Sequence, residues 1–136
     1  MARIVSIDYG AKRTGLATTD PFQIIVNALT TVQTTELKSF LSQYMMTENV
    51  EKVVIGYPKH KDGNDTYLTK DVVALGNWLA QQWPKITIAY ADEQFTSMQA
   101  KEIILKSGVP KEKRKDKSLV DKVSAVLILQ KYLGHI

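Results

Sequence analysis

The chain has 136 residues, of which 44% are hydrophobic and 24% charged, as is typical of a soluble globular protein. It contains no cysteine, which excludes a disulfide scaffold, a thiolate metal site and a cysteine nucleophile, and no apolar run approaches the length of a membrane span. With a net charge of +4 and no signal peptide pattern, we expect one cytoplasmic domain spanning residues 1–136 that makes no membrane contact.

The chain opens with a strand that ends in a carboxylate. An apolar run predicts a buried strand over residues 2–8, Gly10 predicts a turn, and residues 14–19 predict a returning strand. The end of a central strand faces the mouth of a sheet, where ligands and metals usually bind. Asp8 is therefore a candidate site residue.

The remaining elements alternate between strands and helices. Their periodicity and breakers predict a strand over 24–32, a helix from Thr34 or Thr35 to about Thr47, a strand over 52–56, an exposed loop over 57–65, a helix over 66–83, a strand over 86–90, a helix capped by Thr96 or Ser97, and a final helix from a Ser118 cap to about Leu133. The order βββαβαβαα predicts an α/β fold: a mixed five-stranded sheet, with a three-stranded antiparallel meander plus two parallel strands, flanked by helices.

The excess positive charge lies near the last two helices. Residues 101–122 contain eight basic and four acidic side chains, which accounts for the whole net charge of +4. Such a patch can attract phosphates by releasing counterions, which favours nucleic acid as a partner. The alternative is a solvated loop whose lysines confer solubility.

Three carboxylates stand where they can converge. Asp8 closes the first strand, Glu93 follows the last strand, and Asp121 is expected in the first turn of the last helix. Together they suggest a Mg²⁺ or Mn²⁺ site for cutting nucleic acid, because these ions prefer carboxylate oxygens, waters and substrate phosphate. Taken singly, each acid has a structural alternative as a turn cap, a loop acid or a complement to the helix dipole. His60 and His135 form no Ser-His-Asp pattern.

At these residues the sequence resembles the YqgF/RuvX family, whose members are described as Holliday junction resolvases and as nucleases that process the precursor of small-subunit ribosomal RNA. Four segments carry the resemblance in order: residues 7–17, 54–58, 92–97 and 115–133. The resemblance implies an RNase H-like fold. It also implies that Asp8, Glu93 and Asp121 form the metal-binding catalytic set.

Within that resemblance each residue has an expected role. Asp8 would bridge the metal ions, and Glu93 and Asp121 would each complete one side. Phosphate-binding residues are expected in the first turn and in the basic segment: Lys12, Arg13, Lys113, Arg114, Lys115 and Lys117. Phosphate contacts position a strand without reading its sequence, so we expect recognition of nucleic acid structure. For Lys12 and Arg13 the alternative is a solvated hairpin tip.

Four functions are compatible with these residues. The first is a nuclease that processes the 5′ end of pre-16S rRNA in ribosome biogenesis; the second is a Holliday junction resolvase, which would need two sites and so a two-fold dimer rather than a monomer. The third is a non-catalytic binder of nucleic acid or pre-ribosomes, which Gln94 favours because the family usually has Arg there. A nucleotide-binding module of actin-like descent is the fourth.

Overall fold

Five strands and four α-helices make up the part of the chain that the computed structural model describes, residues 2–57, 68–92, 96–107 and 117–135. In chain order they are β1 (Arg3–Asp8), β2 (Arg13–Thr19), β3 (Val26–Gln33), a 3₁₀ turn (Thr34–Glu36), α1 (Leu37–Thr47), β4 (Val50–Tyr57), α2 (Thr69–Gln82), β5 (Thr87–Asp92), α3 (Thr96–Lys106) and α4 (Lys117–Leu133). This order agrees with the predicted βββαβαβαα. Most of the predicted loop over 57–65 lies outside the described residues.

The strands form one mixed sheet in the order β3-β2-β1-β4-β5. The pairs β1–β2 and β2–β3 are antiparallel, and the pairs β1–β4 and β4–β5 are parallel, which confirms the predicted meander plus two parallel strands. Because β1, β4 and β5 are parallel, their last residues, Asp8, Tyr57 and Asp92, lie along one edge of the sheet. We call this the carboxyl edge.

Alternation along β1 assigns its side chains to two faces. Val5 and Ile7 pack with α1 and α2, whereas Ile4 packs with residues of α4 on the other face. On β4, Val53 and Ile55 share the first cluster and Val54 the second, so the strand is covered on both faces, as its continuous apolar run predicts. Burying each such side chain stabilises the fold by roughly 1.5–3 kcal/mol.

Two predicted helix caps are wrong. Thr34 and Thr35 belong to the 3₁₀ turn, and α1 begins at Leu37 with no side-chain cap hydrogen bond. The last helix begins at Lys117, one residue before the predicted Ser118 cap. Asp121 is therefore in the second turn of α4, not the first.

None of the helices in the described ranges is both long and apolar enough to cross a membrane.

Candidate active site

A buried hydrogen bond between β1 and α4 sets the position of two of the three predicted acids. The Ser6 hydroxyl donates to the backbone carbonyl of Ala125 over 2.6 Å. From Ser6, Asp8 is two residues further along β1, a rise of about 6.6 Å. From Ala125, Asp121 is four residues back along α4, a rise of about 6.0 Å. Because the rise along β1 and the rise along α4 are nearly equal, Asp8 and Asp121 both lie at the carboxyl edge.

Gly15 brings α4 directly against the strand beside Asp8. Gly15 is the register partner of Asp8 in the β1–β2 ladder. A Cβ atom built on Gly15 would lie 2.1 Å from the carbonyl oxygen of Asp121, closer than real Cβ atoms come. The absence of a side chain at this position is therefore what lets the Asp121 backbone rest on β2. The structure thus places the backbone of Asp121 against Gly15, the strand partner of Asp8.

Asp121 also has a cationic partner. Arg13 Nε donates to Asp121 Oδ2 over 3.0 Å, and the two side chains are 38% and 23% exposed. Arg13 is also a predicted nucleic acid contact, and its Nε lies against the Asp121 carboxylate. The contact uses Nε, so the terminal Nη donors of the guanidinium remain suited to a phosphate.

Thr34 fixes the loop that follows Asp8. Its backbone N–H donates to the carbonyl of Lys12 over 2.9 Å, and its hydroxyl donates to the carbonyl of Gly10 over 2.6 Å. The same hydroxyl lies 2.9 Å from that of Thr14. The exposed Lys12 is thus carried by a loop that is tied down close to Asp8.

The sequence did not predict a role in this site for three residues that shape it: Ser6, Gly15 and Thr34. Ser6 carried a usable signal, because it is a polar residue in an apolar strand on the same face as Asp8. Thr34 carried none, because a threonine before a helix is also the pattern of an N-cap.

The other predicted site residues lie outside the described part of the chain or at its margin. Strand β5 ends at Asp92 on the carboxyl edge, and the next residue, Glu93, is outside the described residues, as is Gln94. The same holds for three of the predicted phosphate-binding residues, Lys113, Arg114 and Lys115. Lys117 is the first residue of α4.

The donor set suits a hard divalent cation. Asp8 and Asp121 supply carboxylate oxygens, the ligands that Mg²⁺ and Mn²⁺ prefer, and Mg²⁺ is often bound by one or two carboxylates plus waters and phosphate. Within the described ranges no group of three or more acids, histidines or cysteines is close enough to hold a metal ion. Glu93, the expected third ligand, is outside those ranges.

The chain is similar to known proteins over nearly its whole length. A model of the family described as RuvX, Holliday junction resolvase, matches residues 2–135. The chain is 50% identical over 135 residues to a candidate pre-16S rRNA nuclease of Porphyromonas gingivalis, covering 99% of this chain and 98% of the relative. It is 44% identical over 133 residues to a protein of the same name from Phocaeicola vulgatus, covering 98% and 96%.

Two solved structures share the fold. The resolvase of Fowlpox virus, in complex with Holliday junction DNA, superposes with a TM-score of 0.61 at 10% identity over 98% of this chain and 97% of that chain. RuvC of Thermus thermophilus, in complex with its junction substrate, gives 0.55 at 14% identity, with the same coverage. The RNase H-like fold expected from the resemblance is thereby confirmed.

Proposed function

The chain belongs to the RuvX family of Holliday junction resolvases, and from that premise we propose that it is a metal-dependent endonuclease that hydrolyses phosphodiester bonds in structured nucleic acid. One observation supports the proposal: the backbone of Asp121 lies against Gly15, the register partner of Asp8, at the carboxyl edge of the sheet. A paired carboxylate site beside an arginine is suited to a metal ion and a phosphate together.

We assign each residue a role, and for Glu93, Lys113, Arg114 and Lys115 that role rests on the sequence alone. Asp8 and Asp121, with Glu93 as third ligand, would hold the metal. Bound Mg²⁺ or Mn²⁺ would supply the activation of water and the stabilisation of the leaving oxygen. Arg13 neutralises Asp121 through Nε and turns its Nη donors toward the phosphate, and Lys12 binds the neighbouring backbone from the loop that Thr34 fixes. The nucleic acid is bound outside the cleavage site by the basic residues Lys113, Arg114, Lys115 and Lys117.

The proposed substrate is the precursor of 16S ribosomal RNA, processed at its 5′ end in the cytoplasm. The two curated relatives named for this activity, which match nearly the whole chain, support it. The second candidate is a junction resolvase, which the description of the matching family supports. That activity needs two sites related by two-fold symmetry, so it predicts a homodimer, whereas RNA processing is compatible with a monomer.

The test is a cleavage assay with purified protein and Mn²⁺ on a precursor rRNA fragment, a four-way DNA junction and a single strand. Asp8→Asn keeps the size of the side chain and removes its charge, and we expect at least about a 100-fold loss of cleavage because a metal ligand is worth several kcal/mol in the transition state. Glu102→Gln removes a charge from the exposed face of α3 and should leave cleavage unchanged. Chelation of the metal should abolish cleavage by every variant.

The outcomes separate the candidate functions. Preference for the rRNA fragment supports processing, and preference for the junction by a dimeric protein supports the resolvase. Cleavage that survives Asp8→Asn would refute the assigned site. Tight binding of nucleic acid without any cleavage would favour the non-catalytic protein, and Gln94→Arg would then be the variant to test for restored activity.

A further inference from the structure

A second polar site lies at the carboxyl edge, on the face of the sheet opposite Asp121. It is a cavity of about 230 Å³ between the end of β1, the 3₁₀ turn, α1 and α2. Its polar lining residues are Tyr9, Thr34, Thr35, Lys38 and Asp71. We call it the Tyr9 cavity. It is smaller than the roughly 300–1,000 Å³ of sites for drug-sized ligands, so its occupant is a small group.

The Tyr9 cavity is adjacent to the proposed cleavage site. Tyr9 directly follows Asp8, so their Cα atoms are about 3.8 Å apart and their side chains turn to opposite faces. Thr34, which lines the cavity, is also the residue that ties down the Gly10 loop. A nucleic acid strand crossing the carboxyl edge can therefore place a phosphate over Asp8 and an adjoining base against Tyr9.

Opposite charges face this cavity without neutralising each other. Lys38 and Asp71 both line it, and the ion pairs found within the described residues, Arg3–Glu48 and Arg13–Asp121, do not include them. Lys38 Nζ lies 5.2 Å from the centre of the Trp78 ring, which positions the ammonium group. An ammonium donor and a carboxylate acceptor are thus both available to a ligand.

Tyr9 contributes a donor and a ring surface. Tyr9 lines the cavity, and its phenol hydroxyl can donate a hydrogen bond to a ligand. The ring is partly buried and packs against the core, which holds it in place. A fixed aromatic ring beside a backbone-binding site is a means by which proteins stack an unpaired base.

We propose that the Tyr9 cavity binds one base of the substrate next to the cut, and that this base is guanine. A carboxylate can accept from two neighbouring donors at once, and among the four bases guanine alone presents two on its pairing edge, N1–H and the 2-amino group. Lys38 would donate to O6, a guanine acceptor that lysine commonly reads. Adenine would place its N1 acceptor against the Asp71 carboxylate. The proposal rests on the nuclease function proposed above.

The binding test uses free nucleotides and needs no cleavage. Amide chemical shifts would be followed by NMR during titration with guanosine, inosine and adenosine 5′-monophosphates. Inosine lacks only the 2-amino group, so the wild type should bind the guanosine nucleotide about 5- to 150-fold more tightly than either of the others, the range expected for a bidentate contact. Shifts should concentrate at Tyr9, Thr35 and Lys38.

Asp71→Asn tests the acceptor. Asp71 is exposed, so the variant should fold normally, and the preference for guanosine over inosine should fall to less than about twofold because the paired acceptor is lost. Glu36→Gln removes a nearby exposed charge that does not line the cavity, and it should keep the wild-type preference. Equal binding of all three nucleotides, or no shift at the cavity, would overturn the proposal.

Cleavage separates this proposal from the one it rests on. With substrates that carry each of the four bases beside the cut, the wild type should favour guanine and Asp71→Asn should not. Selective binding of the guanosine nucleotide by a protein that cuts nothing would refute the nuclease function and leave the base site standing. Efficient cleavage with no base preference would support the nuclease function and refute the base site.

Discussion

Replacing Gly15 with alanine tests whether α4 must rest on β2 for the site to form. A Cβ at Gly15 would stand 2.1 Å from the carbonyl oxygen of Asp121 and 2.4 Å from its carbonyl carbon. Ordinary contact begins at 3.4 Å, so the backbone of α4 must retreat by about 3.4 − 2.1 = 1.3 Å. A helix backbone cannot rotate out of the way as a side chain can.

The expected cost has two parts. Overpacking of this kind costs about 1–3 kcal/mol, and the lower chain entropy of alanine offsets about 0.5–1 kcal/mol of it. We therefore expect a net loss of up to about 2.5 kcal/mol in the free energy of unfolding. The effect on activity should be larger, because a shift of about 1 Å in a catalytic group can cost about 100-fold in rate.

Gly76→Ala is the matched control. A Cβ at Gly76 would also stand 2.1 Å from its nearest atom, but that atom is the hydroxyl of Tyr90, at the end of a side chain that is 41% exposed and can move. Gly76 is inside α2, where alanine favours the helix by up to about 1 kcal/mol. The variant should be neutral or slightly stabilised and should cleave normally.

Urea denaturation followed by circular dichroism would measure both stabilities, and the Mn²⁺-dependent assay would measure both activities. A Gly15→Ala variant that matches the wild type in stability and cleavage would refute this role for Gly15. So would a Gly76→Ala variant that loses more stability or activity than Gly15→Ala.

Two further predictions concern stability. Ser6→Ala removes the 2.6 Å hydrogen bond to Ala125 and should cost about 1 kcal/mol of stability. Ser124→Ala should instead stabilise the protein by about 1 kcal/mol, because the Ser124 hydroxyl is buried with no hydrogen-bond partner among the described residues. Changes of the same sign for both variants in urea denaturation would contradict this pair of predictions. Hydrogen bonds from backbone N–H groups, that of Ile25 first, lower the pKa of Asp20 below its ordinary 3.8, so its stabilisation is complete above pH 3.8 and is lost as the pH falls through the lowered pKa. The difference in the free energy of unfolding between the wild type and Asp20→Asn should therefore become smaller on acidification. Urea denaturation that gives the same difference at pH 7 and at pH 3 would contradict this role of Asp20.

The sequence by itself determined the order of the elements and the ends that carry chemistry. Apolar periods of two and of about 3.6 residues are local properties, so β1 and α2 could be predicted from them. The parallel arrangement of β4 and β5 followed from the helix predicted between the two strands. The position of Asp8 could be predicted as well, because predicting a strand also predicts which residue ends it.

Only the tertiary structure decided what surrounds Asp8. Thr34 was predicted to cap a helix and instead holds the loop of Gly10. The bond from Arg13 to Asp121 had no signal in the sequence. Ser6 reaches Ala125 across 119 positions of the chain. A hydroxyl or guanidinium group can satisfy its hydrogen bonds with local or with distant partners at similar free energy. Which partner it takes depends on what the packed sheet and helices bring within about 3 Å, and no local pattern records that distance.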